Sequence, residues 1–230
     1  MSETTTEYST IQTTDGVALD ARIFRPSAAD HDHKGADYSA LALVMVHPYS
    51  VLGGCQGLMK GMARGLASRG LTAITFDTRG AGRSTGRASL TGSAEVNDVV
   101  SVCKWAANDL SASRIVVVGS SAGAAIAGSA IDKVEEVVGY VSLGYPFGFT
   151  ASVLFGGHQK ALLQSLKPKL FVMGTKDGFT SVGQLEKKLK KAVGENNQTH
   201  LLEGVSHFQM EGPAFDAQMV NLILEFITSL

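Results

Sequence analysis

Three side chains have the types and the spacing for nucleophilic acyl chemistry: Ser121, Asp177 and His207. Ser121 lies at the centre of Gly119-Ser120-Ser121-Ala122-Gly123, a G-x-S-x-G pattern. The unbroken β-branched run 115–118 before it reads as a strand covered on both faces, and the small residues 122–130 after it read as a helix packed close to the sheet. A serine at such a junction occupies a strained turn that lifts its hydroxyl above the carboxyl ends of the strands, and its neighbours must be small because strand and helix almost touch. The helix N-terminus favours developing negative charge, and the Ala122 N–H points towards where an oxyanion would form. The plainer reading of a Gly/Ser/Ala turn is a simple strand-to-helix connection, or a phosphate cradle without chemistry.

A serine hydroxyl is a poor nucleophile until a histidine takes its proton and a carboxylate holds that histidine in the right tautomer. Asp177 follows the strand expected at 170–173 through Gly174-Thr175-Lys176, and His207 follows the strand expected at 199–202 through Glu203-Gly204-Val205-Ser206. The order Ser121, Asp177, His207 is the one expected when the nucleophile sits on this kind of turn. The competing places are weaker. The segment after strand 137–143, Gly144-Tyr145-Pro146-Phe147-Gly148-Phe149, holds no carboxylate, and Asp77 precedes Ser121, where bracing its loop with Arg79 is the simpler task. His31 and His33 fall in a polar loop, His158 in a glycine-flanked loop and His200 at a strand start, all readable as surface or packing.

The elements that must position these groups alternate along the chain. Residues 8–13 and 18–24 form a hairpin through Asp15-Gly16, an antiparallel edge. Residues 27–38, with Asp30-His31-Asp32-His33, read as a solvated polar loop rather than a metal site. Strand 41–46, a helical face of Leu58, Met59, Met62, Ala63 and Leu66, strand 71–76, and a stripe from Val96 through Cys103 to Leu110 lead to the Ser121 strand. After the Ser121 helix come strand 137–143, a loop and short helix to Lys167, strand 170–173, a helix over 181–193 opened by a Ser181/Gln184 capping box, strand 199–202, and a closing amphipathic helix from Phe215 to Ile227. This alternation calls for a mostly parallel sheet with helices on both faces and a site at the carboxyl ends of the strands.

The chain has 230 residues, 44% of them hydrophobic, enough for a sizeable core in one domain, with residues 1–7 as a flexible lead. Twenty Lys and Arg against twenty-one Asp and Glu give a formal charge of -1, which leaves no electrostatic footprint for nucleic acid or an anionic membrane. Cys55 and Cys103 have no metal or redox spacing, the single bridge they could form is too little for a secreted scaffold, and a reducing, cytoplasmic location fits them and the polar N-terminus. No apolar run reaches the length of a membrane span.

The chain resembles an α/β-hydrolase. Its Val46-His47-Pro48-Tyr49-Ser50-x-x-Gly53-Gly54 and Phe76-Asp77-x-Arg79-Gly80-x-Gly82-x-Ser84 are similar to the small, lidless, dienelactone-hydrolase-like members, from about residue 8 to the end. The resemblance implies an eight-stranded, mostly parallel sheet with an antiparallel N-terminal edge, no large cap domain, no cofactor and no metal. It implies that the loop after the His47 strand supplies a second oxyanion N–H; Pro48 stands where glycine is commoner and has none to give, so Tyr49, or else Ser50, is the donor beside Ala122. Dienelactone hydrolases proper use a cysteine nucleophile, so with Ser121 that reaction is not implied. The connection 143–170 has room for a loop and one helix only, so the pocket is small or open, walled by Tyr49, Leu52, Tyr145, Phe147, Phe149 and Phe155, each of which reads equally well as a core residue. The expectation is a carboxylesterase-like serine hydrolase, monomer or homodimer, acting on a small ester or thioester through an acyl-enzyme. The other readings are a ligand receptor or scaffold using the same pocket, and an acyltransferase or lyase.

Overall fold

The computed structural model describes residues 4–26 and 38–230, the side chain of residue 150 excepted. Eight strands form one sheet: β1 (Thr5–Gln12), β2 (Ala18–Arg25), β3 (Leu41–Val46), β4 (Thr72–Phe76), β5 (Arg114–Ser120), β6 (Val137–Leu143), β7 (Lys169–Gly174) and β8 (Asn197–Leu202). Their spatial order is β1-β2-β4-β3-β5-β6-β7-β8. The β1–β2 hairpin joins β4 antiparallel, and every other pairing is parallel. The helices are α1 (Lys60–Ala67), α2 (Glu95–Asp109), α3 (Ala122–Gly128), α4 (Phe149–Gln164), α5 (Val182–Leu189), α6 (His207–Met210) and α7 (Asp216–Thr228).

The central strands are largely apolar, β3 at every position, because both faces are covered. Leu43, Met45, Val116 and Val118 pack with Met62 and Leu66 of α1 and Met219 and Ile223 of α7. The alternate residues Val44, Val46, Ile115 and Val117 face Val99 and Cys103 of α2 and Ala124 and Ala127 of α3. That two-residue alternation is the pleat of the strands, and each large apolar side chain so buried contributes about 1.5–3 kcal/mol. Burial also pushes the Cys103 thiol up to about 12.

Several sequence expectations need correction. Thr5, Thr6 and Glu7 are not a flexible lead but pair with Arg25, Phe24 and Ile23. The connection between β6 and β7 is not a loop and short helix: α4 runs for 16 residues straight through Gly156-Gly157. A Gly-Gly pair costs a helix about 2 kcal/mol relative to alanines, and here buried Ala151, Phe155 and Leu162 outweigh it. His158 is therefore a buried helical residue, donating from Nε2 to Thr91 O at 2.8 Å and accepting at Nδ1 from Ser129 Oγ at 2.6 Å. Leu58 is half-exposed in a 3-10 turn ahead of α1 rather than on its core face. Arg79 does not pair with Asp77; it bridges Asp98 at 2.7 Å and Asp15 at 2.8 Å, holding the Asp15 carboxyl below the usual range, while Asp77 accepts the Gln56 backbone N–H at 2.8 Å. The His31/His33 loop lies outside the described residues.

Candidate functional site

The junction between β5 and α3 is built as the sequence demands. Ser121 has φ 54° and ψ −125°, a strained conformation for a residue with a side chain, and its N–H donates to Leu143 O at 2.8 Å. Close approach explains both flanking glycines. A Cβ on Gly123 would lie 2.1 Å from the His47 carbonyl oxygen, and one on Gly119 would lie 2.5 Å from Ala124 Cα. The start of α3 is thereby pressed against the end of β3.

The loops after β7 and β8 bring two further groups to this turn. Asp177 Oδ1 accepts the N–H groups of Phe179 at 2.7 Å and Thr180 at 2.9 Å, which leaves Oδ2 aimed at His207 Nδ1, 2.6 Å away. His207 opens the one-turn α6 behind a Ser206/Gln209 capping box, and its Nε2 lies 2.8 Å from Ser121 Oγ. Because the carboxylate can only accept, Nδ1 carries the proton and Nε2 is free to accept from the Ser121 hydroxyl. The imidazole is nearly sealed from solvent, with the Phe179 ring 4.6 Å and the Phe208 ring 5.5 Å from it, centroid to centroid. The three residues singled out from sequence thus form one hydrogen-bonded row.

Opposite the row lies the loop after β3. His47 is buried, and burial lowers its affinity for a proton. Its Nε2 accepts the Thr78 N–H at 3.0 Å, so its Nδ1–H donates to Pro48 O at 2.6 Å. In a trans peptide the carbonyl and the following N–H point in opposite directions. Holding Pro48 O therefore sets the direction of the Tyr49 N–H. The same carbonyl lies 2.1 Å from where a Gly54 Cβ would stand, so the loop closes only over glycine. Neither the Tyr49 nor the Ala122 N–H donates to a protein acceptor among the described residues.

A cavity of about 380 Å³ opens over Ser121 and Ala122. Tyr49, Leu52 and Phe155 line it, as read from the sequence, and Tyr49 Oη donates to Leu90 O at 2.5 Å. Tyr145, Phe147 and Phe149 do not line it. Tyr145 and Phe147 stack on each other and pack against Phe171 in the core, Tyr145 edge-on and Phe147 tilted, fixed there by Thr180, whose Oγ1 accepts from Phe147 N and donates to Tyr145 O. Phe149 begins α4 facing solvent, 83% exposed. The walls the sequence reading missed are Leu58, Leu154, Phe179 and Phe208, with the carboxylate Glu211 among them. A signal was available for two: Phe179 follows Asp177 by two residues and Phe208 follows His207 directly. Among the described residues, no group of three or more His, Cys, Asp or Glu could hold a metal ion, and no helix is long and apolar enough to cross a membrane.

A family model described as X-Pro dipeptidyl-peptidase (S15 family) matches residues 15–141, more than half of the chain and including the Ser121 turn. The chain belongs to this family. Solved structures place this S15 family member within the α/β-hydrolase superfamily. It is similar to an α/β serine hydrolase homologue from Coxiella burnetii at 27% identity and a TM-score of 0.73, covering 97% of each chain. It is also similar to an α/β serine hydrolase without lid from Xanthomonas campestris, at 19% identity and a TM-score of 0.76 over 97% of this chain and 94% of that one. An esterase from Pyrococcus furiosus superposes with a TM-score of 0.80 at 19% identity, covering 99% of this chain and 91% of that one. No curated protein matches the sequence. The fold is that of the lidless hydrolases, with the sheet's antiparallel N-terminal edge and a single helix, α4, between β6 and β7.

Proposed function

We propose that this hydrolase cleaves a small carboxylic ester or thioester through an acyl-enzyme, with Ser121 as nucleophile, His207 as general base and acid, and Asp177 as the group that fixes the imidazole. The observation that carries the reading is the continuous row from Ser121 Oγ through His207 to Asp177, at 2.8 and 2.6 Å, opening on an apolar cavity. Ser121 Oγ attacks the carbonyl carbon as its proton passes to His207 Nε2, and the carbonyl electron pair moves onto oxygen. The Ala122 and Tyr49 N–H groups receive that oxyanion. The proton then moves from Nε2 to the departing oxygen or sulfur, and a water activated by the same nitrogen releases the acid.

An ester is favoured over the amide named in the family's description because solved neighbours described as esterases share the fold from end to end, whereas the family match stops at residue 141, before Asp177 and His207. The walls suit an uncharged acyl group, and the cytoplasm suits Cys55 and Cys103, both free thiols. The test is a panel of p-nitrophenyl esters of rising chain length, with a thioester and an X-Pro nitroanilide beside them, on wild type and Ser121→Ala. The reading requires Ser121-dependent ester or thioester turnover above nitroanilide turnover. Turnover of the nitroanilide alone, or ester turnover undiminished in Ser121→Ala, would overturn it.

A further inference from the structure

Glu211 is a carboxylate that the row itself does not use. It lies one helical turn after His207, where side chains four apart share a face. Its Oε1 accepts from buried Ser120 Oγ at 3.1 Å and sits 3.8 Å from His207 Nε2. Its side chain is 15% exposed and lines the cavity beside Ser121. Among the described residues, His207 is the one cation-forming side chain at ion-pair distance from it. A carboxylate withdrawn from water with so little compensation is a cost to folding, and such groups concentrate at functional sites.

The imidazole is thus bracketed by two carboxylates, Asp177 on Nδ1 at 2.6 Å and Glu211 beside Nε2 at 3.8 Å. At that distance Glu211 is too far to take the Nε2 hydrogen bond, which stays with Ser121 Oγ at 2.8 Å, and near enough to act on a charge at Nε2. Resting on the acyl-enzyme reading above, we propose that Glu211 is a positioning residue for His207, whose negative charge stabilises the imidazolium formed while the proton is in transit.

In acylation the Oγ–H proton moves to Nε2 as the Oγ–C bond forms and the carbonyl pair shifts to oxygen. The imidazolium then returns the proton to the leaving oxygen or sulfur as that atom departs with the electron pair of its bond to carbon. A neutral imidazole gains little from the Glu211 charge and an imidazolium gains much, so the effect falls on the transition state rather than on substrate binding. The groups facing Glu211 are Ser120 at the end of β5, His207 on its own helix, and Asp177 from the loop after β7. Burial raises the proton affinity of Glu211, His207 and Ser120 oppose that rise, and the Asp177 charge adds to it.

The test compares Glu211→Gln, which keeps an acceptor for Ser120 but no charge, with Glu211→Asp, which keeps the charge, and Ser120→Ala, which removes only the hydrogen bond. The readouts are kcat and KM on p-nitrophenyl butyrate, the pH profile of kcat/KM, the rate of fluorophosphonate labelling, and the melting temperature. Glu211→Gln is expected to lower kcat on the order of 10-fold with KM changed less than about twofold. Labelling should slow in parallel, and the acid limb of the profile should move to lower pH because the imidazolium loses a neighbouring negative charge. Glu211→Asp should keep the wild-type acid limb, whether or not Glu211→Gln folds well, and Ser120→Ala should lose less than Glu211→Gln. A Glu211→Gln enzyme with wild-type kcat and acid limb, beside a Ser121→Ala enzyme that is inert, would overturn this inference and leave the hydrolase reading standing. An acid limb displaced equally in Glu211→Asp would also overturn it. A wild-type protein that neither turns over esters nor takes the label would remove the hydrolase reading and this inference together.

Discussion

Replacing Asp177 by asparagine isolates the one thing its second oxygen does. In the structure Oδ1 is committed to the turn, accepting from Phe179 N at 2.7 Å and Thr180 N at 2.9 Å, and Oδ2 is committed to His207 Nδ1. An asparagine has one oxygen to place. Keeping it on the turn preserves two backbone hydrogen bonds worth about 1 kcal/mol each, whereas flipping it loses both and sets donors against donors, a bias of about 2 kcal/mol or roughly 30-fold. The amide NH₂ then faces Nδ1, so the imidazole carries its proton on Nε2 and can no longer accept from Ser121. The expected fall in kcat is on the order of 10³ to 10⁴, or about 4 to 5.5 kcal/mol of transition-state stabilisation. Because the turn stays bonded, stability should change by no more than about 1–2 kcal/mol, a few degrees in Tm. Initial rates on p-nitrophenyl butyrate together with thermal melts measure both. A kcat within about tenfold of wild type at unchanged Tm would refute the tautomer argument; a fall of the expected size in Asp77→Asn but not Asp177→Asn would show that Asp77, not Asp177, orients the imidazole.

Three further outcomes follow from the same geometry. Tyr49 has φ −55°, a value proline adopts, so Tyr49→Pro deletes the N–H with little backbone change; it should lower kcat about 10²- to 10³-fold relative to Tyr49→Ala, and equal rates for the two would remove that N–H from the oxyanion site. The cavity of about 380 Å³ has no cap, so kcat/KM should rise from acetyl to about butyryl, at about 0.8 kcal/mol for each methylene while it is buried, and then level; Leu154→Ala should move the optimum to longer chains, and a steady rise to palmitoyl esters would contradict the cavity's size. His47 is held below its ordinary 6.5 by burial, so below that pH the unfolded chain binds a proton that the folded chain does not; the His47 contribution is intact above pH 6.5 and is lost as pH falls. Denaturant melts from pH 7 to pH 5 should show that loss in wild type and not in His47→Gln.

The centre of the sheet was legible in the sequence because β3, β5 and β7 carry apolar runs of four residues or more, and the bounds of strands 41–46 and 137–143 agree with the sequence to the residue. Ser121, Asp177 and His207 were legible because each follows a strand end, where the topology leaves little freedom of position. The pocket was not. Tyr145 and Phe147 also follow a strand end, but Thr180 bonds both of their backbones and turns their rings to Phe171, a contact between residues more than thirty apart that no local pattern carries. The length of α4 was hidden by Gly156-Gly157, a local breaker that tertiary packing overrides. Glu211 gave no sign of itself, since a single carboxylate on a one-turn helix has neither periodicity nor motif; only the fold sets it beside His207.

An activated Ser121 should be captured covalently by an electrophile that mimics an ester. Purified protein is incubated with a fluorophosphonate probe, and the adduct is located by intact mass and peptide mapping for wild type, His207→Ala and Ser121→Ala. One adduct is expected, on Ser121, in wild type, with labelling slowed by orders of magnitude in His207→Ala and absent in Ser121→Ala, and with ester turnover lost in step. A wild-type adduct on another residue, or ester turnover undiminished in Ser121→Ala, would contradict Ser121 as the nucleophile.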